Sequence, residues 1–435
     1  MFVRRFILRS TRLTLEEYSM DKMRTLQKSL LALCLFASAM ASPTPKPTES
    51  LEALQIVSQG AQLFSTNMIK IVAKEQQDNL IASPLSANIA LTMAANGAAG
   101  TTEEQFRHVL HLPSKTQTLT GFQQLINTMN NVENVTLNLA NKLFIGKDFP
   151  VKSQYKQDLQ TYFHSDIESV DFSQSAKAAD TINTWSKEKT NNRIDNIVQA
   201  DDLDSSLALV LANAVYFKGN WAHQFDPKAT TDRPFHVDAN NVKQVPTMFR
   251  KGNYKYVELP EHEAKCIELP YANKEVSMVI ILPDKIDGLA ALIDNIDAVM
   301  LDCNVRLAQT YEREVRVYLP KFKTESKLDL GNTLSTKMGL SEPFSNSANF
   351  NGISDLPLKI DKVVQKAFIE VNEEGSEAAA VTGIMLQTYA MVYEEKFEIN
   401  RPFIYNIIKT SSINEETGVR EVIPLFVGHV ANPEY

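Results

Sequence analysis

Apolar positions in the first half of the chain recur at helical spacing. Leu54, Val57, Ala61, Phe64, Met68 and Val72 return close to every 3.6 residues and predict a long amphipathic helix. Ser83-Pro84 supplies a capping hydroxyl and a first-turn proline, so the apolar residues 85–95 are predicted as a second helix closed at Gly97. Thr101-Thr-Glu-Glu104 has the spacing of a reciprocal cap ahead of Phe106, Val109 and Leu110. Ile182, Trp185, Ile194 and Val198 mark one more amphipathic helix. From about residue 207 the pattern shortens to β-rich runs at 207–212, 276–282, 315–319, 403–408 and 422–430, and residues 364–371 alternate. Helices early and strands late predict an α+β fold with large, mainly antiparallel sheets.

The N-terminus departs from this body. Residues 1–28 carry Arg4, Arg5, Arg9, Arg12, Lys22, Arg24 and Lys28, followed by the uncharged run Leu30-Leu-Ala-Leu-Cys-Leu-Phe36 and the small-residue exits Ala37-Ser-Ala39 and Ala39-Met-Ala41. A basic flank, a short apolar stretch and a small-residue exit describe a secretory signal over residues 1–41, with Met20 or Met23 as possible internal starts. The apolar run is short for a membrane span. Residues 42–50, with three prolines, read as a flexible tail, and residues 51–435 as a single domain, since no linker, repeat or low-complexity tract interrupts them. Removing residues 1–41 takes the formal charge from −8 to −12, a balance that disfavours nucleic acid as a partner. Of the three cysteines, Cys34 leaves with the signal; Cys266 and Cys303 admit either a bridge or two free thiols. Asn134-Val-Thr136 is a sequon, and in a secreted chain Asn134 is a candidate glycan site.

Motifs of catalysis are missing. There is no glycine-rich nucleotide fingerprint, no phosphate-binding loop, no Cys-x-x-Cys, no His-Glu-x-x-His and no nucleophile elbow. His108 and His111 share a predicted helix but have no completing ligand segment nearby, so neither a metal nor a cofactor is expected and nothing marks an enzyme.

One stretch remains unexplained: Glu373-Glu-Gly-Ser-Glu-Ala-Ala-Ala380, directly after the alternating run 364–371. As a strand, its continuation would place Ser376, Ala378, Ala380, Thr382, Ile384 and Leu386 on one face, all small or apolar and uncharged, able to enter a packed sheet without burying an ion. Alanine and glycine are poor strand formers, however, and Ser376 could equally cap a short helix through Ala380. The residues alone leave both open.

With its neighbours, this stretch resembles the serpin family over residues 51–433. Glu373, Glu374, Gly375, Ser376, Glu377, Ala378, Ala379 and Ala380 resemble that family's hinge. Ile399-Asn-Arg-Pro-Phe403 and Leu425-Phe-Val-Gly-His-Val-Ala-Asn-Pro433 resemble its C-terminal strands. Asn213-Ala-Val-Tyr-Phe-Lys-Gly-Asn-Trp221 resembles the motif at its sheet opening, and Asn79-Leu-Ile-Ala-Ser-Pro-Leu-Ser86 the helix beneath the sheet. Ile182-Asn-Thr-Trp185 with Thr190 and Ile194, Met338-Gly-Leu340 and Phe350-Asn-Gly-Ile353 agree with it as well.

The resemblance implies three β-sheets, about nine helices and an exposed reactive loop over about residues 373–397. It implies a monomeric, secreted inhibitor that a serine protease attacks and acylates, the cleaved loop then entering the central sheet and trapping the covalent complex. Counting from Gly375 puts the reactive bond at Tyr389–Ala390, with Leu386 and Met391 as alternatives; an aromatic at Tyr389 suits a chymotrypsin-like primary pocket. Ser83, Ser86, Asn213, Trp221 and Gln365 fall in the sheet-opening region. Gln365 stands where the family usually has His, Ala82 where it usually has Phe, and Asn349 where Asp is common. A non-inhibitory carrier or chaperone is the alternative function.

Overall fold

The computed structural model describes residues 47–130, 135–375, 395–413 and 420–435. Backbone contacts separate residues 51–435, one compact unit, from residues 1–50. In chain order the elements are α1 (Pro47–Glu75), β1 (Leu80–Ala82), α2 (Pro84–Asn96), α3 (Gly100–Val109), α4 (Lys115–Asn130), β2 (Val135–Gly146), α5 (Ser153–Phe163), β3 (Ile167–Val170), α6 (Ser175–Lys189), β4 (Leu209–Gly219), β5 (Thr231–His236), β6 (Val242–Leu259), β7 (Ala264–Pro270), β8 (Val276–Pro283), α7 (Leu289–Asp294), α8 (Ile296–Gln309), β9 (Arg313–Pro320), β10 (Phe322–Asp329), β11 (Lys362–Val371), β12 (Glu395–Glu398), β13 (Phe403–Ile413) and β14 (Arg420–Val430).

A five-stranded sheet runs in the order β10-β11-β4-β2-β3. The remaining strands form a continuous nine-stranded array in which β6 belongs to two sheets. Its Lys255–Leu259 end pairs with β7, leading through β8, β13 and β14 to β1. Its earlier residues pair with β5 and β9, and β12 joins the outer edge of β9. Three packed sheets with helices around them make the α+β serpin architecture that the resemblance implies.

The five-stranded sheet is covered on both faces. On one, Ile182 and Trp185 of α6, with Ile194 and Val198 behind them, pack on Phe144, Val210, Ala212, Ala214 and Val364. On the other, the fully buried helix α2 and the β13–β14 layer meet Leu211, Val215, Val363 and Ala367. Alternation along β4 therefore divides its side chains between two buried layers.

Two local expectations change. The cap at Thr101–Glu104 does not form: α3 starts at Gly100, and buried Thr102 instead accepts the Asn349 N–H at 2.9 Å through its hydroxyl. Residues 182–198 are not one helix. The helix ends at Lys189 because Asn191 and Asn192 take left-handed backbone conformations (φ 51° and 61°), turning Ile194 and Val198 back onto the same apolar face. Gly97 does close α2, but at φ −97°. Its need for glycine is close approach, since a Cβ there would lie 2.2 Å from Ile353. Cys266 of β7 and Cys303 of α8 are joined in a disulfide with Cα atoms 6.1 Å apart, resolving the choice between bridge and free thiols. Among the described residues no helix is long and apolar enough to cross a membrane.

Candidate functional site: a closed seam in the central sheet

At the centre of the five-stranded sheet, β4 and β11 lie side by side and parallel, Val210–Tyr216 against Lys362–Phe368. Parallel neighbours need a long connection, and here more than 140 residues of chain separate them. The polar residues of the sequence reading converge on this seam. Asn213 and Gln365 are register partners across it, and Asn141 of β2 is the partner of Asn213 on the other side. All three point down at the N-terminus of α2.

There Gln365 Oε1 accepts the Ser83 N–H at 2.8 Å, while its Nε2 donates to the Ser83 carbonyl at 2.8 Å and to Asn213 Oδ1. Asn213 Nδ2 donates to the Ser86 hydroxyl and to Asn141 Oδ1. The Ser83 hydroxyl donates to the Leu425 carbonyl at 2.7 Å, which ties the seam to β14. Ser83, Ser86, Asn213 and Gln365 are each no more than 1% exposed. A primary amide carries one acceptor and two donor hydrogens, and Gln365 commits all of them. Glutamine thus completes a network in which the family usually places an imidazole.

Replacing Gln365 by Leu should strand two buried polar groups, the Ser83 N–H and the Asn213 carbonyl, while the Ser83 carbonyl keeps the Ala87 N–H at 3.1 Å. Each orphan costs about 1–3 kcal/mol, so a loss of at least about 2 kcal/mol is expected in chemical denaturation. Gln365→His, which keeps one donor and one acceptor, should fall between; equal midpoints for Gln365→Leu and the parent would show that the network contributes nothing.

Asn141 was not singled out from sequence. Residues 135–146 did not read as a strand, and only the β2–β4 register makes this asparagine part of the row.

The upper end of the seam is held differently. Beyond Val371 the chain turns over Glu373 and Glu374, with Asn372 bridged to Gly375. Gly375 has φ +95°, and a Cβ there would lie 2.3 Å from the Gly219 carbonyl oxygen, so the turn requires glycine. The Trp221 N–H donates to the Glu374 carbonyl (3.1 Å), the Phe225 N–H to that of Glu373 (2.9 Å), and the Trp221 indole to that of Asn372 (3.0 Å). Trp221 is itself fixed by stacking on Tyr271, with ring centroids 4.6 Å apart. The Glu373 carboxylate pairs with Lys321 at 2.9 Å and accepts from the Thr230 hydroxyl at 2.8 Å. Burial alone would raise its pKa, but these hydrogen bonds outweigh burial and hold it below the usual carboxylate value.

Trp221 therefore belongs with Glu373, Glu374 and Gly375, not with the Ser83 network. Eight positions of extended chain, about 26 Å, separate Asn213 from Trp221.

The segment after α6 crosses the seam as a strap. Lys366 of β11 donates to the Asn196 carbonyl (2.9 Å) and pairs with Glu325 of β10 (2.7 Å), while Asp202 lies between Lys327 (3.0 Å) and Lys362 (3.5 Å). Separating β4 from β11 while this segment stays on α6 requires the contacts of Asn196 and Asp202 to move. Ser376, Glu377, Ala378, Ala379, Ala380, the Tyr389–Ala390 bond and Asn134 lie outside the described residues.

Comparison with known proteins agrees with this architecture. The family model for serpins (serine protease inhibitors) matches residues 59–433. Alaserpin of Manduca sexta is 33% identical, over 93% of this chain and all of its own length. The crystal structure of Serpin48 of the insect Tenebrio molitor superposes with a TM-score of 0.77 at 32% identity, covering 87% of this chain and 99% of that one. Human thyroxine-binding globulin, solved as a complex with thyroxine, superposes with a TM-score of 0.77 at 27% identity, covering 88% of this chain and all of that one. A protein built around this seam, with the family model spanning most of its length, belongs to the serpin family of protease inhibitors.

Proposed function

We propose that the protein is a secreted inhibitor of chymotrypsin-like serine proteases that acts as a suicide substrate. The carrying observation is the seam: two parallel strands, β4 and β11, with the chain leaving β11 through a glycine turn directly at the seam's upper end. The bridge between Asn372 and Gly375 is antiparallel, so a strand added after the turn would run antiparallel to both β4 and β11, the polarity a new central strand needs.

In the proposed reaction the protease serine oxygen attacks the Tyr389 carbonyl and the Tyr389–Ala390 C–N bond breaks. An ester joins Tyr389 to the protease, and the proton passes to the departing Ala390 amine. Insertion of residues 376 onward then carries the acylated protease away before water reaches the ester. The native fold is in this reading a kinetically held state above an inserted, more stable one. The tyrosine supports the protease class, as does the absence of Lys or Arg between Gly375 and Lys396. The basic and apolar leader supports secretion.

The test incubates residues 42–435 with chymotrypsin, followed by a denaturing gel and the mass of the released C-terminal fragment. A stable covalent complex with a fragment beginning at Ala390 is expected. Tyr389→Arg should transfer inhibition to trypsin, with the rate constant for chymotrypsin falling at least tenfold. Cleavage without complex by chymotrypsin and by a panel of related proteases would overturn the reading in favour of a non-inhibitory carrier.

A further inference from the structure

The exposed face of the β5-β6-β9-β12 sheet carries a row of like charges. Lys251 of β6 is the register partner of Arg316 of β9, and Arg316 is the partner of Lys396 of β12. Neighbouring strands are about 5 Å apart, so three cations stand within about 10 Å on one face. Like charges directly opposite each other weaken a sheet. Glu314 pairs with Lys251 at 2.9 Å, and Glu398 with Lys396 at 2.6 Å. Arg233 of β5 adds a fourth cation, its guanidinium 4.3 Å from the Tyr318 ring, which in turn lies 4.9 Å from that of Phe249. The patch thus has four cations, two carboxylates and a half-buried aromatic centre, on a chain whose formal charge is −8.

We infer that this face is a docking surface for an acidic patch on the target protease, an inference that rests on the inhibitory reading above. Arginine and aromatic residues around a common centre are the composition of protein–protein interfaces. Interleaved carboxylates and a modest local excess of positive charge fit a patterned protein surface better than a uniform polyanion. Position selects the protease as partner. Lys396 lies seven residues beyond Tyr389, at most about 25 Å of extended chain. A domain of about 200 residues has a radius of gyration near 16 Å and so spans more than about 40 Å. A protease engaged at the reactive bond therefore overhangs the row, and attraction there raises the rate of encounter.

The experiment uses one active site with two surface charges: chymotrypsin as isolated, and chymotrypsin with its lysines succinylated. Association rate constants are measured for the parent and for Lys251→Gln/Arg316→Gln/Lys396→Gln at low and high salt. The parent should react with the succinylated enzyme at least tenfold faster than the triple variant at low salt, the gap closing at high salt, while the unmodified enzyme shows less than a twofold difference. Lys396→Gln alone, in the short strand β12, should retain a two- to threefold part of the effect and serves if the triple variant is unstable. Equal rates for parent and variants with the succinylated enzyme would overturn the inference while leaving inhibition intact. Acceleration by a heparin oligosaccharide that depends on the row, without any difference toward the succinylated enzyme, would also overturn it and assign the row to a polysaccharide. Failure to form complex with either enzyme would instead defeat the inhibitory reading and the inference with it.

Discussion

Glu373→Lys should release the upper end of the seam and make the protein self-associate. The carboxylate is held by Lys321 at 2.9 Å and by the Thr230 hydroxyl at 2.8 Å, with its side chain 11% exposed. The substitution removes both bonds and sets two ammonium groups side by side. Breaking a buried pair costs about 3–5 kcal/mol; Lys321 is 30% exposed and partly screened, so roughly 2–3 kcal/mol is expected here. The turn at 372–375 then loses its clamp to Trp221 and Phe225, and β4 and β11 present unpaired edges at their upper ends. Such edges accept a strand from another chain.

A thermal midpoint several degrees lower and a ladder of oligomers on a native gel after mild heating are expected. Glu373→Gln, which keeps the Thr230 bond without the charge, should lie between. A midpoint for Glu373→Lys within one degree of the parent would remove the clamp from the account. The pH dependence has a definite sign. Because the folded carboxyl titrates below its ordinary value of 4.5, its contribution is complete above about pH 4.5 and is lost as pH falls through the lower folded value. The stability gap between parent and Glu373→Gln should therefore persist at neutral pH and close only in stronger acid.

The sequence revealed these two clusters unequally. Ser83 was legible because Ser-Pro before an apolar run is a helix start whatever the tertiary context, and the structure uses its side chain both ways, accepting from Ser86 N–H and donating to Leu425. Asn213 and Gln365 were legible only through the family resemblance. Nothing local distinguishes an amide in one apolar strand from an amide in another 152 residues away until register pairs them. Asn141 and Lys321 escaped for the same reason: each acts through a partner distant in sequence. Helix extent failed where side chains outside the helix share its buried face, as with Ile194 and Val198, because apolar periodicity reports which layer a residue faces and not whether its backbone is helical. The strap has no sequence signature at all. Lys366 reads as an ordinary surface lysine until the carbonyl of Asn196 is placed above it.

Ser376→Arg should convert the protein from inhibitor to substrate. The Asn372–Gly375 bridge sets the register that an inserted strand would take beside β11. Extended antiparallel from that bridge, Ser376 comes opposite Val371, Ala378 opposite Ile369 and Ala380 opposite Ala367, three positions no more than 2% exposed. Glu377 and Ala379 come opposite Glu370 and Phe368, which are half-buried on the other face. The uncharged residues thus fall on the closed side of the sheet and the single acid on the more open side. An arginine at position 376 would have to bury a guanidinium beside Val371, which is 2% exposed, as the first step of insertion. Raising the insertion barrier by only 1.4 kcal/mol slows that step about tenfold, and an unpaired buried charge costs more than that. In the proposed reaction acylation is set by Tyr389 and its neighbours and is untouched, so water wins the competition for the ester. Titration of chymotrypsin should then require more than about ten equivalents of Ser376→Arg for each protease inactivated, with the gel showing cleaved chain in place of complex. Ser376→Ala, which keeps a small uncharged side chain, should retain near-stoichiometric inhibition. Full covalent complex with Ser376→Arg would mean that insertion does not begin at this residue, or does not limit the outcome.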